Sequence, residues 1–284
     1  MIVITGATGQ LGRLVISGLL KTTSASNIVA AVRDPAKAAD FAELGVQVRK
    51  ADYNDPTSLD SAFHGARKVL LISSSEVGQR APQHRNVVDA AARASVELLA
   101  YTSLLHADTS PLALASEHVA TEQAIRASGL PYTILRNGWY AENYTGGLGK
   151  ALEHGAIVGS AKEGRISAAA RADYAAAAVT VLASDAAPAP VYELAGDHSF
   201  TLAELAAELS RQAGKPVVYR DLPPQEYRAM LLGLGLPEWV ADLLSDSDAG
   251  AAQGGLQDDS GTLGKLIGRP TIALEEAVRA ALSK

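Results

Sequence analysis

The 284-residue chain has no cysteine, which excludes disulfides, thiolate metal sites and cysteine nucleophiles together. Packing alone must hold the fold. Aromatic residues are scarce at 5%, while fifty-three are alanine and 48% are hydrophobic. The core must therefore come from aliphatic and small side chains that let helices lie close on a sheet. Net positive charge is also lacking: 25 Lys and Arg face 31 Asp and Glu, a formal net charge of -6. Neither nucleic acid nor an anionic bilayer finds a general attraction here, so neither is an expected partner. No apolar run approaches the ~20 residues of a membrane span. The longest, 174–183, begins right after Asp173. Ile2-Val3-Ile4 reads as a buried strand, not a targeting peptide, and a cytoplasmic location is expected. His64, His84, His106, His118, His154 and His198 are scattered without ligand-like pairs, so no metal is expected. Asp246-Ser247-Asp248 has the look of a calcium loop. However, Ala251 and Gln257 stand where glycine and glutamate are required.

The chain alternates between strand-like and helix-like patterns. Residues 1–5 form an apolar run ended by glycine, and Leu11, Leu14, Val15, Gly18 and Leu19 follow at amphipathic-helix spacing. Further strands are expected at 28–32, 46–48, 69–72, 96–101 and 132–135. Helices are expected from Pro35 and over 57–63, 82–94 and 112–128. Apolar strands joined by helical crossovers imply a parallel sheet covered on both faces. The expected fold class is α/β, a doubly wound, Rossmann-like sheet over residues 1–140. A smaller α+β cap over 141–284 is expected to interleave with it. In that cap 191–194 and 217–219 read as strands, and helices are expected around 201–213, 225–233, 237–244 and 273–282. The Gly-, Asp- and Ser-rich stretch 246–264 reads as a long loop.

Thr5-Gly6-Ala7-Thr8-Gly9-Gln10-Leu11-Gly12 stands between the first strand and the first helix. Its glycines allow a sharp turn, close approach of a ligand to the backbone, and tight packing of helix on strand. The helix N-terminus offers unpaired N–H groups to a diphosphate, so a dinucleotide site is expected. The spacing is G-x-x-G-x-x-G, unlike the common G-x-G-x-x-G. The second strand ends in Val32-Arg33-Asp34-Pro35, where an adenosine ribose would lie. Arg33 suits a 2′-phosphate and so favours NADPH, while Asp34, before a helix-opening proline, suits capping. Loops at the C-terminal strand ends line the crevice of such folds. Ser73, Ser74 and Ser75 follow the fourth strand, where ordinary turn chemistry is an equal reading. After the sixth strand, Asn137, Gly138, Trp139, Tyr140, Ala141, Glu142 and Asn143 place two amides and two aromatics together, a platform for a flat ring.

These tracts, with Glu76-Val77-Gly78-Gln79-Arg80, Arg171-Ala172-Asp173-Tyr174 and Leu266-Ile267-Gly268-Arg269-Pro270, resemble the NmrA-like atypical short-chain dehydrogenases. Within that branch they are most similar to the bacterial NADPH:quinone oxidoreductases, nearly end to end. The resemblance implies that Gly6, Ala7, Thr8, Gly9, Gln10, Leu11, Arg33, Ser73, Ser74, Ser75, Asn137, Gly138, Trp139, Tyr140, Ala141, Glu142 and Arg171 touch NADPH. It also implies a quinone substrate, with a homodimer left open.

Ordinary short-chain dehydrogenases use Tyr-x-x-x-Lys. Here Tyr101 is followed four residues on by Leu105, Tyr132 by Arg136 and Tyr140 by Tyr144. His118 and Glu122 lie one helical turn apart, so His118 is a candidate proton donor oriented by a carboxylate; a solvated pair is the competing reading. Quinones need little acid help, because hydride addition yields an aromatic, delocalised hydroquinone anion. Alignment then dominates the barrier. Tyr140 and Asn143 are the candidate pocket residues. One rival reading is a non-catalytic NADP(H)-binding redox sensor; another is a carbonyl reductase or isomerase on the same fold.

Overall fold

Strands buried on both faces form the sheet. All five residues of one, Ile28–Val32, and all seven of another, Leu98–Leu104, are buried. The computed structural model describes residues 1–283. Its elements begin β1 (Ile2–Thr5), α1 (Gln10–Leu19), β2 (Ile28–Val32), α2 (Ala39–Glu43), β3 (Gln47–Lys50), α3 (Pro56–Phe63), β4 (Lys68–Leu71) and α4 (Arg80–Arg93). They continue with β5 (Leu98–Leu104), α5 (Ala115–Ala127), β6 (Tyr132–Asn137), α6 (Ala141–Thr145), α7 (Leu148–His154), β7 (Ala156–Gly159) and α8 (Arg171–Ala183). The last are β8 (Val191–Leu194), α9 (Leu202–Ala213), β9 (Val218–Asp221), α10 (Pro224–Gly233), α11 (Glu238–Ala251), α12 (Thr262–Ile267) and α13 (Leu274–Leu282).

The chain divides into two compact units. The first comprises residues 1–107, 116–137 and 171–194, and the second comprises, among the described residues, 108–115, 138–170 and 195–283. The first holds a seven-stranded parallel sheet in the order β3-β2-β1-β4-β5-β6-β8. Strand order reverses between β1 and β4, and at such a switch point the strand ends diverge to leave a crevice. Asp-Pro pairs start two elements by the same local chemistry. Asp34 accepts from Ala36 N–H, and Asp55 accepts from Thr57 and Ser58 N–H. A Cβ on Gly18 of α1 would lie 2.7 Å from Val179 of α8, so glycine sets how closely these helices pack.

The second unit contains the two-stranded parallel pair β7 and β9. Helix α9 opens with a Thr201–Glu204 capping box. A small core of Tyr227, Leu231 and Ala241 joins α10 to α11.

Several expectations need correcting. Residues 191–194 are not part of a cap; they pair with β6 as the seventh strand of the sheet. The helix opened by Pro35 is a 3-10 turn, Pro35–Ala38, followed by the short α2. Residues 246–264 are not a continuous loop, because α11 runs through Asp246, Ser247 and Asp248 to Ala251, and α12 begins at Thr262. The polar residues there have partners: Asp246 accepts from Ala113 N–H and Asp248 from Ser160 N–H. A Cβ on Gly250 would stand 2.9 Å from Leu112 Cδ2, so the leucine side chain packs directly on the helix there.

Candidate active site

The glycine turn leaves β1 through Gly6, whose φ of +57° suits glycine, and Gly9 then caps α1 with its N–H bonded to Gly6 O. A Cβ on Gly12 would stand 2.6 Å from Gly6 O and 2.7 Å from Ala7 Cα. Glycine there lets the helix start flush against the turn. Ala7 and Leu11 point into the core, whereas Gly6, Gly9 and Gln10 are exposed. Below the turn, the Thr5 hydroxyl donates to Leu70 O and accepts from Ile72 N–H, and the Tyr53 phenol lies 2.5 Å away. β1, β4 and the segment after β3 are thus tied at the switch point.

A cleft of about 700 Å³ opens at this edge. Its walls bring together the expected Gly6, Thr8, Gly9, Arg33, Ser73, Ser74 and Ser75. Arg13, Lys37, Tyr53 and Gln83 also line it, and local sequence pattern did not single them out. The Arg13 guanidinium stacks over Phe41 and pairs with Asp40 at 2.5 Å, and Arg33 pairs with Glu76 at 2.7 Å. With Lys37, three cations serve one cleft. The Asp34 carboxylate, which in a ribose-binding role would favour a free 2′-hydroxyl, is used in capping Ala36 N–H. Gln83 Oε1 is buried without a hydrogen-bond partner. This donor set fits a dinucleotide carrying an extra phosphate, with the α1 N-terminus for the diphosphate and the cations for the third phosphate.

Residues 6–185 match the NAD(P)H-binding family. The chain belongs to that family. Quinone oxidoreductase 2 of Escherichia coli is 59% identical over 278 residues, 98% of this chain and 97% of that one. A solved NADPH complex of the NADPH-dependent quinone oxidoreductase from Escherichia coli superimposes with a TM-score of 0.98 at 58% identity, covering 99% and 100% of the two chains. A triphenylmethane reductase of Citrobacter sp. complexed with NADP(H) has a TM-score of 0.95 at 41% identity, covering 99% of this chain and 100% of that one. The resemblance expected from the motifs is borne out.

In this member of the NAD(P)H-binding family the His118–Glu122 pairing does not form. Glu122 is buried and accepts from Ser103 Oγ at 2.6 Å, from the Arg136 guanidinium at 2.8 and 2.9 Å, and from Arg126 at 2.9 Å. Helical spacing put the two side chains on one face, but β6 brings Arg136 to the carboxylate and decides the partner. His118 is buried, not solvated, with Nδ1 2.7 Å from Tyr101 Oη and Nε2 3.3 Å from Arg80 Nη1. Guanidinium only donates, so Nε2 accepts and Nδ1 carries the proton given to Tyr101. Burial, with the Arg80 charge second, pulls the His118 pKa down to about 3. Burial likewise pushes the Tyr101 phenol up from its ordinary value.

β6 ends in Asn137, which is buried with an Oδ1 lacking a hydrogen-bond partner. Beneath it, Arg136 bridges Glu122 and Glu193. Arg171 opens α8 in the same unit. Gly138, Trp139, Tyr140, Ala141, Glu142 and Asn143 belong to the second unit. There Ala141 N–H donates to Ala169 O, and Ala169 N–H to Trp139 O, which fixes the backbone on either side of Tyr140. Tyr140 is half-buried, and Asn143, on α6, is exposed. Among the described residues no helix is long and apolar enough to cross a membrane.

Proposed function

We propose that this protein is an NADPH-dependent oxidoreductase that reduces small quinones to hydroquinones. The observation that carries this reading is the switch-point cleft, with its phosphate turn at one wall and Arg13, Arg33 and Lys37 about it. The quinone reductase resemblance at 59% identity supports the substrate class. Bound there, NADPH supplies a hydride from its nicotinamide ring to the quinone. Gly6, Thr8 and Gly9 form the backbone cradle, and Ala7, Gln10 and Leu11 hold that cradle on α1. Arg33 grips the 2′-phosphate, and Ser73, Ser74 and Ser75 form the opposite wall. By the resemblance alone, Asn137, Gly138, Trp139, Tyr140, Ala141, Glu142 and Arg171 are further candidate cofactor contacts, and Tyr140 and Asn143 candidate quinone contacts.

His118 supplies no proton in this scheme. Both its nitrogens are engaged and it stays neutral at physiological pH. A quinone tolerates this because the negative charge it gains is delocalised into an aromatic ring, and water completes protonation. Use of NADPH also supports a cytoplasmic setting.

The test is steady-state NADPH oxidation by the purified protein with small quinones such as 1,4-benzoquinone. Turnover dependent on both reactants is expected. Stoichiometric NADPH binding without quinone-dependent consumption would replace the enzyme with a redox sensor.

A further inference from the structure

The loop carrying Ser73, Ser74 and Ser75 has no secondary structure of its own yet forms a wall of the cleft. Its backbone is held by side chains reaching up from behind. Ser73 N–H donates to Thr102 Oγ1 at 2.9 Å, Ser74 N–H to His84 Nε2 at 2.9 Å, and Arg80 Nε donates to Ser74 O at 2.6 Å. Of these partners His84 is the most enclosed, with no solvent exposure. Its other nitrogen, Nδ1, lies 2.9 Å from Thr121 Oγ1, whose own proton goes to Glu117 O at 2.9 Å. Thr121 therefore accepts from Nδ1–H, and Nε2 is left bare to accept from Ser74. One neutral tautomer satisfies every contact. The protonated ring would set an N–H against the Ser74 N–H.

We infer that His84 is a positioning residue for the NADPH site: through Ser74 N–H it fixes the wall of the cleft against which the cofactor lies. This deepens the proposed function and rests on it. Arg80 extends the brace, since the same guanidinium that holds Ser74 O also meets His118 Nε2. His84 and His118 are thus two neutral imidazoles, one gripping the loop directly and one backing the arginine that does so. Burial, with Arg80 second, pulls the His84 pKa down to about 3, so the bracket keeps its acceptor across the physiological range. Ser74 N–H without its acceptor is an unsatisfied donor, and the loop relieves that only by moving.

His84→Phe keeps a ring and removes the acceptor, whereas His84→Gln places an amide oxygen where Nε2 stood. NADPH affinity by fluorescence titration, Tm without cofactor, and steady-state KM and kcat with quinone read the outcome. For His84→Phe the expected result is roughly tenfold weaker NADPH binding, with the loss falling on KM for NADPH and not on kcat. His84→Gln should recover most of that affinity. Wild-type affinity in both variants overturns the inference, as does equal loss in both, which would mark packing and not the acceptor as the cause. If His84→Phe does not fold, His84→Leu removes the same acceptor for Ser74 N–H with a smaller apolar side chain. It should weaken NADPH severalfold, and unchanged affinity overturns the inference. A wild-type protein that fails to bind NADPH overturns the proposed function, and this inference with it. One that binds NADPH but turns over no quinone leaves the affinity test of His84 standing.

Discussion

Replacing Arg33 should alter coenzyme choice far more than turnover. Its side chain is 66% exposed and pairs with a 39% exposed Glu76 at 2.7 Å, so the guanidinium is held at the cleft by a contact that itself contributes little stability. A 2′-phosphate would bring about -1.5 to -2 charges to that position. A unit charge pair at ~4 Å is worth about 1 kcal/mol in water and about 4 kcal/mol at a partly desolvated surface. Arg13 and Lys37 also line the cleft, and part of the phosphate charge falls to them. For Arg33→Ala we therefore take the lower half of that range, ~1.5–2 kcal/mol, or roughly a 10–30-fold fall in kcat/KM with NADPH. NADH should change by less than about twofold, because it lacks the third phosphate. Arg33→Glu adds repulsion and should extend the loss to roughly 100-fold or more. The assay is kcat/KM for both coenzymes against one quinone over a salt series, where the NADPH preference of the wild type should shrink as ionic strength rises. An unchanged NADPH/NADH ratio in Arg33→Glu would refute the assignment of this corner of the cleft, and an equal fall with both coenzymes would mean that Arg33 supports the fold.

Glu76→Gln should act in the opposite direction. Freed of its counter-charge, Arg33 should bind NADPH about 2–5-fold more tightly by isothermal titration, and weaker binding would count against the charge reading. Gly12→Ala should cost about 1–3 kcal/mol of stability and most NADPH affinity, because the added Cβ lies 2.6 Å from Gly6 O; urea unfolding and titration would check both. The His118 pKa is near 6.5 in the unfolded chain and about 3 in the fold, so its contribution is complete above pH 6.5 and is lost as pH falls toward 3. Near pH ~4.5 that amounts to roughly 2–3 kcal/mol, and His118→Gln should show a correspondingly smaller stability drop between neutral pH and that point. An identical drop in wild type and variant would contradict the neutral ring. Asp248 has the reverse sign. Burial pushes its carboxyl up to about 6 from an ordinary 3.8, so its ionised form destabilises the fold above pH 6 and the penalty fades as pH falls toward 3.8. Asp248→Asn should be more stable than wild type by about 3 kcal/mol at neutral pH and gain nothing near pH ~3.5, as read by unfolding at both values.

The legible parts of the molecule were those whose physics is local. A five-residue apolar run, three glycines and an amphipathic repeat specify β1, its turn and α1 without help from the rest of the chain. Asp34, before a proline, likewise marks the turn that it caps. The less legible parts depend on which strands become neighbours. Arg13 occupies an ordinary polar position on α1, and Tyr53 is one residue in a turn after β3. Only the order β3-β2-β1-β4 brings both to the cleft. The Glu122 reading failed for the same reason, since β6 delivers Arg136 from 14 residues further along the chain. Composition misled at 246–264, where Asp and Gly signal solvent on average. In this fold they accept backbone N–H groups and admit Leu112 instead.

The use made of the histidines bears on substrate choice. A reductase of ordinary ketones must protonate a localised alkoxide as it forms, and so needs an acid poised near neutral pH at the reacting oxygen. Of the groups at and behind this crevice with the chemistry for that task, Tyr53 is tied to Thr5 and Ile72 and pushed up by burial, while His118 and Tyr101 are hydrogen-bonded to each other, buried and driven away from neutral titration in opposite directions. His84, next to them, is spent on a backbone amide. Restoring an acid would mean dismantling the brace behind residues 73–75, and the cofactor wall would loosen with it. The fold has thus committed its ionisable side chains behind the cleft to positioning. Such a site favours substrates whose reduced form is stabilised by its own conjugation, and among these a quinone gains the most, because it becomes aromatic.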